Sequence, residues 1–407
     1  MLKPKYLCDH LNWILVLFFL SLLATTEAQS SPKQNTIPAY SASGSGHIPA
    51  VFKTNRIIYL APSEAQPPLS LKSIPAHRAS DYIHAIIQTD RTIYSQYIVE
   101  RLGETVSLKS SEDWENMNSL PLPAQFLLMS SKLVNSKNLG IKYRLMSLWP
   151  INSNNTFKTK EEKKGLQKVA NDPNKPYVWT LNRNGQIFFN AVYPDLAVTK
   201  SCIQCHNNHP KSPKRDFKRN DVMGGIHISF PISKNESGTS QKDLVVAPEV
   251  VADYIHAILE ADRTVYAKKI VNRLQKKNII YASENWWEEN TLLLPAQFLL
   301  NASDLIKNMR LGLDYKLTSL WPINPHNGAA NKFERIGLET VASRPFRPYI
   351  GTIQVGNQSY FQAIYPDIAV TPACVTCHNT HPKSPKHDFK LHDVIGGIVV
   401  SIPTESD

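Results

Sequence analysis

Residues Tyr82 to Leu102, YIHAIIQTDRTIYSQYIVERL, return as YIHAILEADRTVYAKKIVNRL from Tyr254 to Leu274, a displacement of 172 positions. The same displacement carries LPAQFLL from Leu122 to Leu294, YRLMSLWPIN at Tyr143 to YKLTSLWPIN at Tyr315, and YPDLAVT at Tyr193 to YPDIAVT at Tyr365. It still holds at the glycine pairs, Gly224–Gly225 and Gly396–Gly397. The chain is therefore a tandem duplication without net insertion, and two copies of domain size describe two globular domains in series, not a solenoid. The expected boundaries are 72–233 for the first domain and 244–407 for the second, joined by a linker over 234–243. A Ser-, Pro-, Gly- and Asn-rich leader over 29–71 has no counterpart in the second half and reads as a flexible segment.

The first residues obey a different logic. Lys3 and Lys5 precede an apolar run from Leu11 to Ala24, and small residues end at Ala28, the order of a secretory signal peptide over 1–28. The run is shorter than the ~20 residues of a spanning helix, and no later segment is apolar for long enough, so no membrane span is expected in the mature chain. Export to the bacterial periplasm is the expected localisation.

Within each copy the apolar periodicity changes once. Ile83, Ile86, Ile87, Tyr94, Tyr97 and Ile98 recur at helical spacing, which predicts a long amphipathic helix, and a second helix follows LPAQFLL. YRLMSLWPIN reads as a strand and TKEEKKGLQKVA as a charged surface helix. YVWTLNRNGQIFFNAVYP reads as two strands about an Asn184–Gly185 turn. A polar loop and the closing strand GGIHISFPI complete the copy. Helices followed by antiparallel strands make the fold class α+β.

Of five cysteines, Cys8 leaves with the signal peptide; Cys202, Cys205, Cys374 and Cys377 each belong to a C-x-x-C-H. A domain of this size does not need disulfides, and a CxxC bridge closes too small a loop to stabilise much. In a c-type haem site two cysteines at this spacing form thioethers with the vinyl groups, and the following histidine ligates iron. Cys202 and Cys205 with His206, and Cys374 and Cys377 with His378, map onto those roles, giving two covalently attached haem c groups. The plainer alternatives are a thioredoxin-like pair, a structural disulfide, or a zinc site using Cys202, Cys205 and His209, which leaves His206 without a purpose.

The passage CHNNHPKSPKRDFKRNDVMGG, with YPD shortly before the cysteines and a helical front end, resembles the PAS-like c-type haem-binding family. Its members occur as exported proteins and as sensory modules ahead of bacterial signalling domains. The resemblance covers both repeats and implies two tandem PAS-like domains with one haem each. It also implies a cysteine sixth ligand, and this chain has no spare cysteine.

Other candidates for the second axial position follow from comparing the copies. Met223, Met146, Met117 and Met129 become Ile395, Thr318, Glu289 and Asn301, so no methionine serves both. His84 and its partner His256, on the first helix of each copy, are the remaining shared histidines. Arg91 and Arg263 lie seven residues beyond them, within about 20° of the same helical face, and are candidates for meeting a haem propionate. His209 and His381 are tied to the proximal side; each is a candidate to cap its loop, meet a propionate or face the neighbouring haem. The bland alternative makes His84 a partly buried helix histidine, with Asp90 and Arg91 a surface pair.

Forty-five Lys and Arg against 34 Asp and Glu leave a formal charge of +11. Export argues against nucleic acid as the partner and leaves acidic proteins or anionic groups. Lys200, Lys211, Lys214, Arg215, Lys218 and Arg219 crowd the first motif, and Lys383, Lys386 and Lys390 the second. They offer propionate compensation and a basic rim for an acidic redox partner. The expected function is one-electron transfer or redox sensing, not enzymatic turnover, after loading by a cytochrome c maturation machinery. A gas or redox sensor acting through a partner protein and a di-haem peroxidase are the alternatives.

Overall fold

A computed structural model describes residues 73–234 and 244–404. The expected signal peptide and leader lie outside these residues, as do 405–407 and all of the expected linker except Lys234.

The first repeat begins with β1 (Ile74–Pro75) and α1 (Ala76–Ile93), whose Ile83, Ile86 and Ile87 are fully buried. The expected long helix continues, but its turns widen to π-helical over Tyr94–Glu100 before α2 (Arg101–Thr105). There the buried Tyr94 donates to the Pro121 carbonyl at 2.7 Å. β2 (Ser110–Ser111) and β3 (Leu120–Pro121) form a short parallel pair, and α3 (Pro123–Ser136) follows. Gln125 starts α3 by accepting from the Leu122 amide at 2.9 Å.

β4 (Lys142–Met146) leads to α4 (Lys160–Asn171), whose cap Thr159 accepts from the Glu162 amide at 3.1 Å. This helix is less of a surface element than its charges suggest, because Glu162, Gly165, Leu166 and Val169 are buried. A Cβ at Gly165 would come within 2.9 Å of Val192, so the close seat of α4 on the sheet depends on glycine. β5 (Tyr177–Arg183) and β6 (Gln186–Leu196) turn at Asn184 and Gly185, with φ of 52° and 84°, as a two-residue hairpin of this kind requires. α5 (Lys200–Asn208) carries the first C-x-x-C-H, and β7 (Val222–Lys234) closes the repeat between β4 and β6.

The second repeat follows the same order: β8 (Leu244–Val246), α6 (Pro248–Val265), another π-helical stretch (Tyr266–Val271), α7 (Asn272–Lys276), β9 (Ala282–Ser283) and β10 (Leu292–Leu293). Then come α8 (Pro295–Asn308), β11 (Asp314–Thr318), α9 (Lys332–Ser343), β12 (Tyr349–Val355), β13 (Gln358–Ile368), α10 (Pro372–Thr380) and β14 (Val394–Thr404). Its sheet runs β11-β14-β13-β12, all antiparallel. The fold is α+β with two repeated units, each of N-terminal helices and an antiparallel sheet.

The two units are joined by more than chain. β8 pairs with β7 and also with β1, where Ile74 lies opposite Val246, its own equivalent 172 residues on. Lys234, expected at the start of a linker, is still in strand and pairs with Leu244. Such self-equivalent pairing marks a pseudo-two-fold axis. Phe126 and Phe298 meet on it at 5.8 Å between ring centroids. Arg101 donates to the carbonyls of Trp286 and Thr291, while Arg273 does the same to Trp114 and Ser119. A single hydrophobic core runs through both units. Among the described residues no helix is long and apolar enough to cross a membrane.

Candidate functional site

Each C-x-x-C-H folds as one short helix because a threonine starts it. Thr199 accepts from the Cys202 amide at 3.2 Å and Thr371 from Cys374 at 3.4 Å. Cys202 and Cys205 then lie one turn apart on α5, with His206 next, so both thiols sit on neighbouring positions of one face. The helix ends at His209, ahead of Pro210. The loop beyond it is tied back by Asn207, whose amide group bonds both ways to the Phe217 backbone at 2.9 and 3.0 Å; Asn379 repeats this on Phe389. Phe217, Met223 and Ala197 pack with Trp149 and Cys202 in a small apolar cluster of their own. The His206 ring stands edge-on to Phe217 at 5.7 Å. Phe389, Ile395, Ala369, Trp321 and Cys374 form the counterpart.

The thiols discriminate among the candidate chemistries. All four described cysteines are free, and burial pushes the Cys205 and Cys377 thiols up, helped by Glu112 and Glu284. A thioredoxin-like nucleophile needs the opposite shift. His209 points away from a zinc-binding role: its Nδ1 accepts from the Lys211 amide at 3.2 Å, and its Nε2 faces Glu112 at 3.7 Å. His381 does the same with Lys383 and Glu284. Both histidines cap their loops.

The front helix is fixed by the YPD segment. Tyr193 and Asp195 alternate on β6 and so share one face of the strand. Tyr193 stacks on His84 with 3.9 Å between centroids and donates to Asp81 at 2.8 Å. Asp195 pairs with Arg91 at 2.8 Å. Tyr365 on His256 and Asp367 on Arg263 reproduce both contacts. The plainer alternative, with Asp90 and Arg91 a surface pair, fails, since both are buried and Arg91 takes Asp195 as its partner.

The electrostatics sort the histidines. His206 is pushed down to about 4, by burial first and then by the positive charges of Arg91 and His209. Burial alone pushes His84 down to about 3. The structure thus gathers Arg91, His206 and His209, and holds His84 seven residues back on α1, ~10 Å of helix rise. In the second repeat Arg263 and His381 act on His378.

Among the described residues four ring nitrogens are buried without a hydrogen-bond partner: His84 Nε2, His206 Nδ1, His256 Nε2 and His378 Nδ1. Leaving such a group unmade costs about 1–3 kcal/mol. Orphaned imidazoles at equivalent places, two of them directly following the free thiols of Cys205 and Cys377, fit a metal-centred macrocycle, and the residues present suit a haem.

The copies are not identical. Position 88 is Gln, but its equivalent Glu260 lies 4.0 Å from His256 Nε2 and is met by Lys137 of the first repeat at 2.6 Å. His256 is pushed down to about 4, by burial, against Glu260. Part of the expected basic rim is also internal structure. Lys214 pairs with Asp216 and covers the Phe217 ring, and Arg215 donates to the Asn207 and Pro210 carbonyls. Sequence reasoning missed Tyr193, Asp195, Thr199 and Asn207 as positioning residues; their signal was exact recurrence in YPD, T-x-x-C and CHN.

Residues 73–231 and 244–403 each match the Tll0287-like family. Among solved structures the chain is similar to the cyanobacterial heme-protein Tll0287, at 16% identity and a TM-score of 0.24, over 38% of this chain and 95% of that chain. No curated protein matches it. With well over half of its residues inside the two matches, the chain belongs to the Tll0287-like family, which it carries as two copies in tandem.

Proposed function

We propose that this is an exported di-haem c-type cytochrome of the periplasm, acting in one-electron transfer or redox sensing. The observation that carries the reading is the recurrence, in both repeats, of two free thiols one helical turn apart, next to a buried histidine with an orphaned nitrogen. A haem bound there supplies a one-electron iron couple. Cys202 and Cys205, and Cys374 and Cys377, form its thioethers. His206 and His378 would ligate its iron beside the thioethers, and His84 and His256 would supply the second ligands.

The surrounding residues have separate tasks. Tyr193 and Tyr365 fix the planes of the distal imidazoles. Arg91 and Arg263 place buried positive charge toward the proximal histidines while Asp195 and Asp367 hold them, and a guanidinium has no lone pair to compete for iron. The apolar cluster around Phe217 or Phe389 excludes water. Two histidines offered to each iron would leave no position for a substrate, which favours electron transfer over peroxidase turnover. Those of the lysines that face solvent steer an acidic redox protein toward the haem edge.

A second reading is a sensor with a displaceable distal ligand acting through a partner protein. Intact mass and optical spectra of the protein, exported from a host with cytochrome c maturation, test both. Two covalent haems, low-spin and unreactive to CO, support the cytochrome. Rapid CO binding supports the sensor, and a bare polypeptide mass overturns both.

A further inference from the structure

Two acids at the seam between the repeats have no part in the function proposed above. Asp90 and Asp262 face each other from α1 and α6, at 1% and 4% exposure. Among the described residues no cation forms an ion pair with either acid, and the adjacent Arg91 and Arg263 pair instead with Asp195 and Asp367 at 2.8 Å. Both carboxyl oxygens of Asp90 are buried without a hydrogen-bond donor. The fully buried Ser130 hydroxyl, with no other partner, faces Asp262. Beside them lies a cavity of about 10 Å³ lined by Ile87, Arg91, Phe126, Leu127, Tyr143 and Asp262, the size of a single water. The remaining ionisable neighbours, Tyr143 from β4 and Tyr315 from β11, are phenols pushed well up by burial and then by the acids, so they stay neutral.

Two carboxylates in contact away from water cannot both be ionised, and their protons belong to the pair. We propose that Asp90 and Asp262 form a proton-binding site on the pseudo-two-fold axis, holding one shared proton at neutral pH and taking up a second when the flanking haem sites are reduced. The coupling rests on the haem reading; the site does not. In the coupled step an external one-electron donor is oxidised, and one proton passes from a solvent hydronium ion, whose O–H bond breaks to leave water, to a carboxylate oxygen, where a new O–H bond forms. The cavity links the site to Arg91, and through its charge to His206. Burial pushes Asp262 up to about 6 and Asp90 well above its ordinary value, so uptake of the second proton centres near pH 6.

Infrared spectroscopy of the holoprotein across this pH range tests the site, and redox titration tests the coupling. The expected result is a protonated-carboxyl band at neutral pH that grows reversibly on acidification and diminishes in Asp90→Asn and Asp262→Asn. Midpoint potentials should fall as pH rises through about 6 in the parent and flatten in either variant. A parent spectrum without the band, or variants that leave it unchanged, overturns the site. Potentials independent of pH in the parent overturn the coupling. A chain that takes up no haem sinks the functional reading while the infrared arm still decides the site.

Discussion

His84 lies flat on Tyr193, with 3.9 Å between ring centroids and 8° between planes, and His256 lies on Tyr365 at 3.9 Å and 5°. Each tyrosine is held in turn by an acid at the equivalent position of its own copy: Asp81 for Tyr193 and Asp253 for Tyr365, both at 2.8 Å. The imidazole is therefore pre-set in one orientation before any ligand arrives.

Replacing His84 by Ala should convert about half of the ferric haem spectrum to high spin while leaving both haems attached, because only one of two equivalent sites is changed. Optical and EPR spectra check this. A spectrum like the parent's returns His84 to a packing role against Tyr193.

The two haems should differ in potential. Glu260 places a carboxylate 4.0 Å from His256, where the first repeat has Gln88, and negative charge favours ferric over ferrous iron. Glu260→Gln should raise the potential of the second site alone, and Lys137→Met, which unbalances Glu260, should lower it. Redox titration of each variant reads the direction.

His227 supplies a pH test outside the proposed haem sites. It is buried against Trp179, 3.6 Å from Glu162, and burial pushes it down to about 4 despite that carboxylate. A folded-state value below the unfolded one contributes stability that is present above about 6.5 and lost as pH falls through about 4. His227→Val, which installs the residue of the second copy at Val399, should flatten the acid limb of a stability profile measured by denaturant unfolding. An unchanged profile would show that His227 does not carry it.

Gly224→Ala should destabilise the fold by about 1–3 kcal/mol, the range for overpacking. Its Cβ would stand 2.5 Å from the Met146 carbonyl oxygen, and that of Gly396 2.6 Å from Thr318, so a strand must move. The midpoint of chemical unfolding measures the loss, and a wild-type midpoint would show that the strands separate without cost.

Much of this architecture was legible in residue order. The periodicity of Ile83, Ile86 and Ile87 predicted α1, and the Asn184–Gly185 pair its hairpin, because both are local. The candidate ligands could be named by comparing copies. What could not be read was long-range: that Arg91 would choose Asp195 over its neighbour Asp90, or that Asp90 would meet Asp262. Those choices depend on the pairing of α1 with α6 and β6, which no short window contains. The α4 face was misjudged for the same reason, since its charges concealed the Gly165, Leu166 and Val169 stripe.

The strand exchange at Ile74 and Val246 gives the chain the geometry of a two-fold dimer whose subunits cannot be diluted apart. In a true homodimer every substitution appears twice, once on each side of the axis. Fusion lifts that constraint: Lys137 and Glu260 form a bond across the seam with no mirror image, where Met309 and Gln88 stand instead. Because the second half is tethered, its docking does not depend on protein concentration. One half is thereby free to specialise while the other continues to hold it in place.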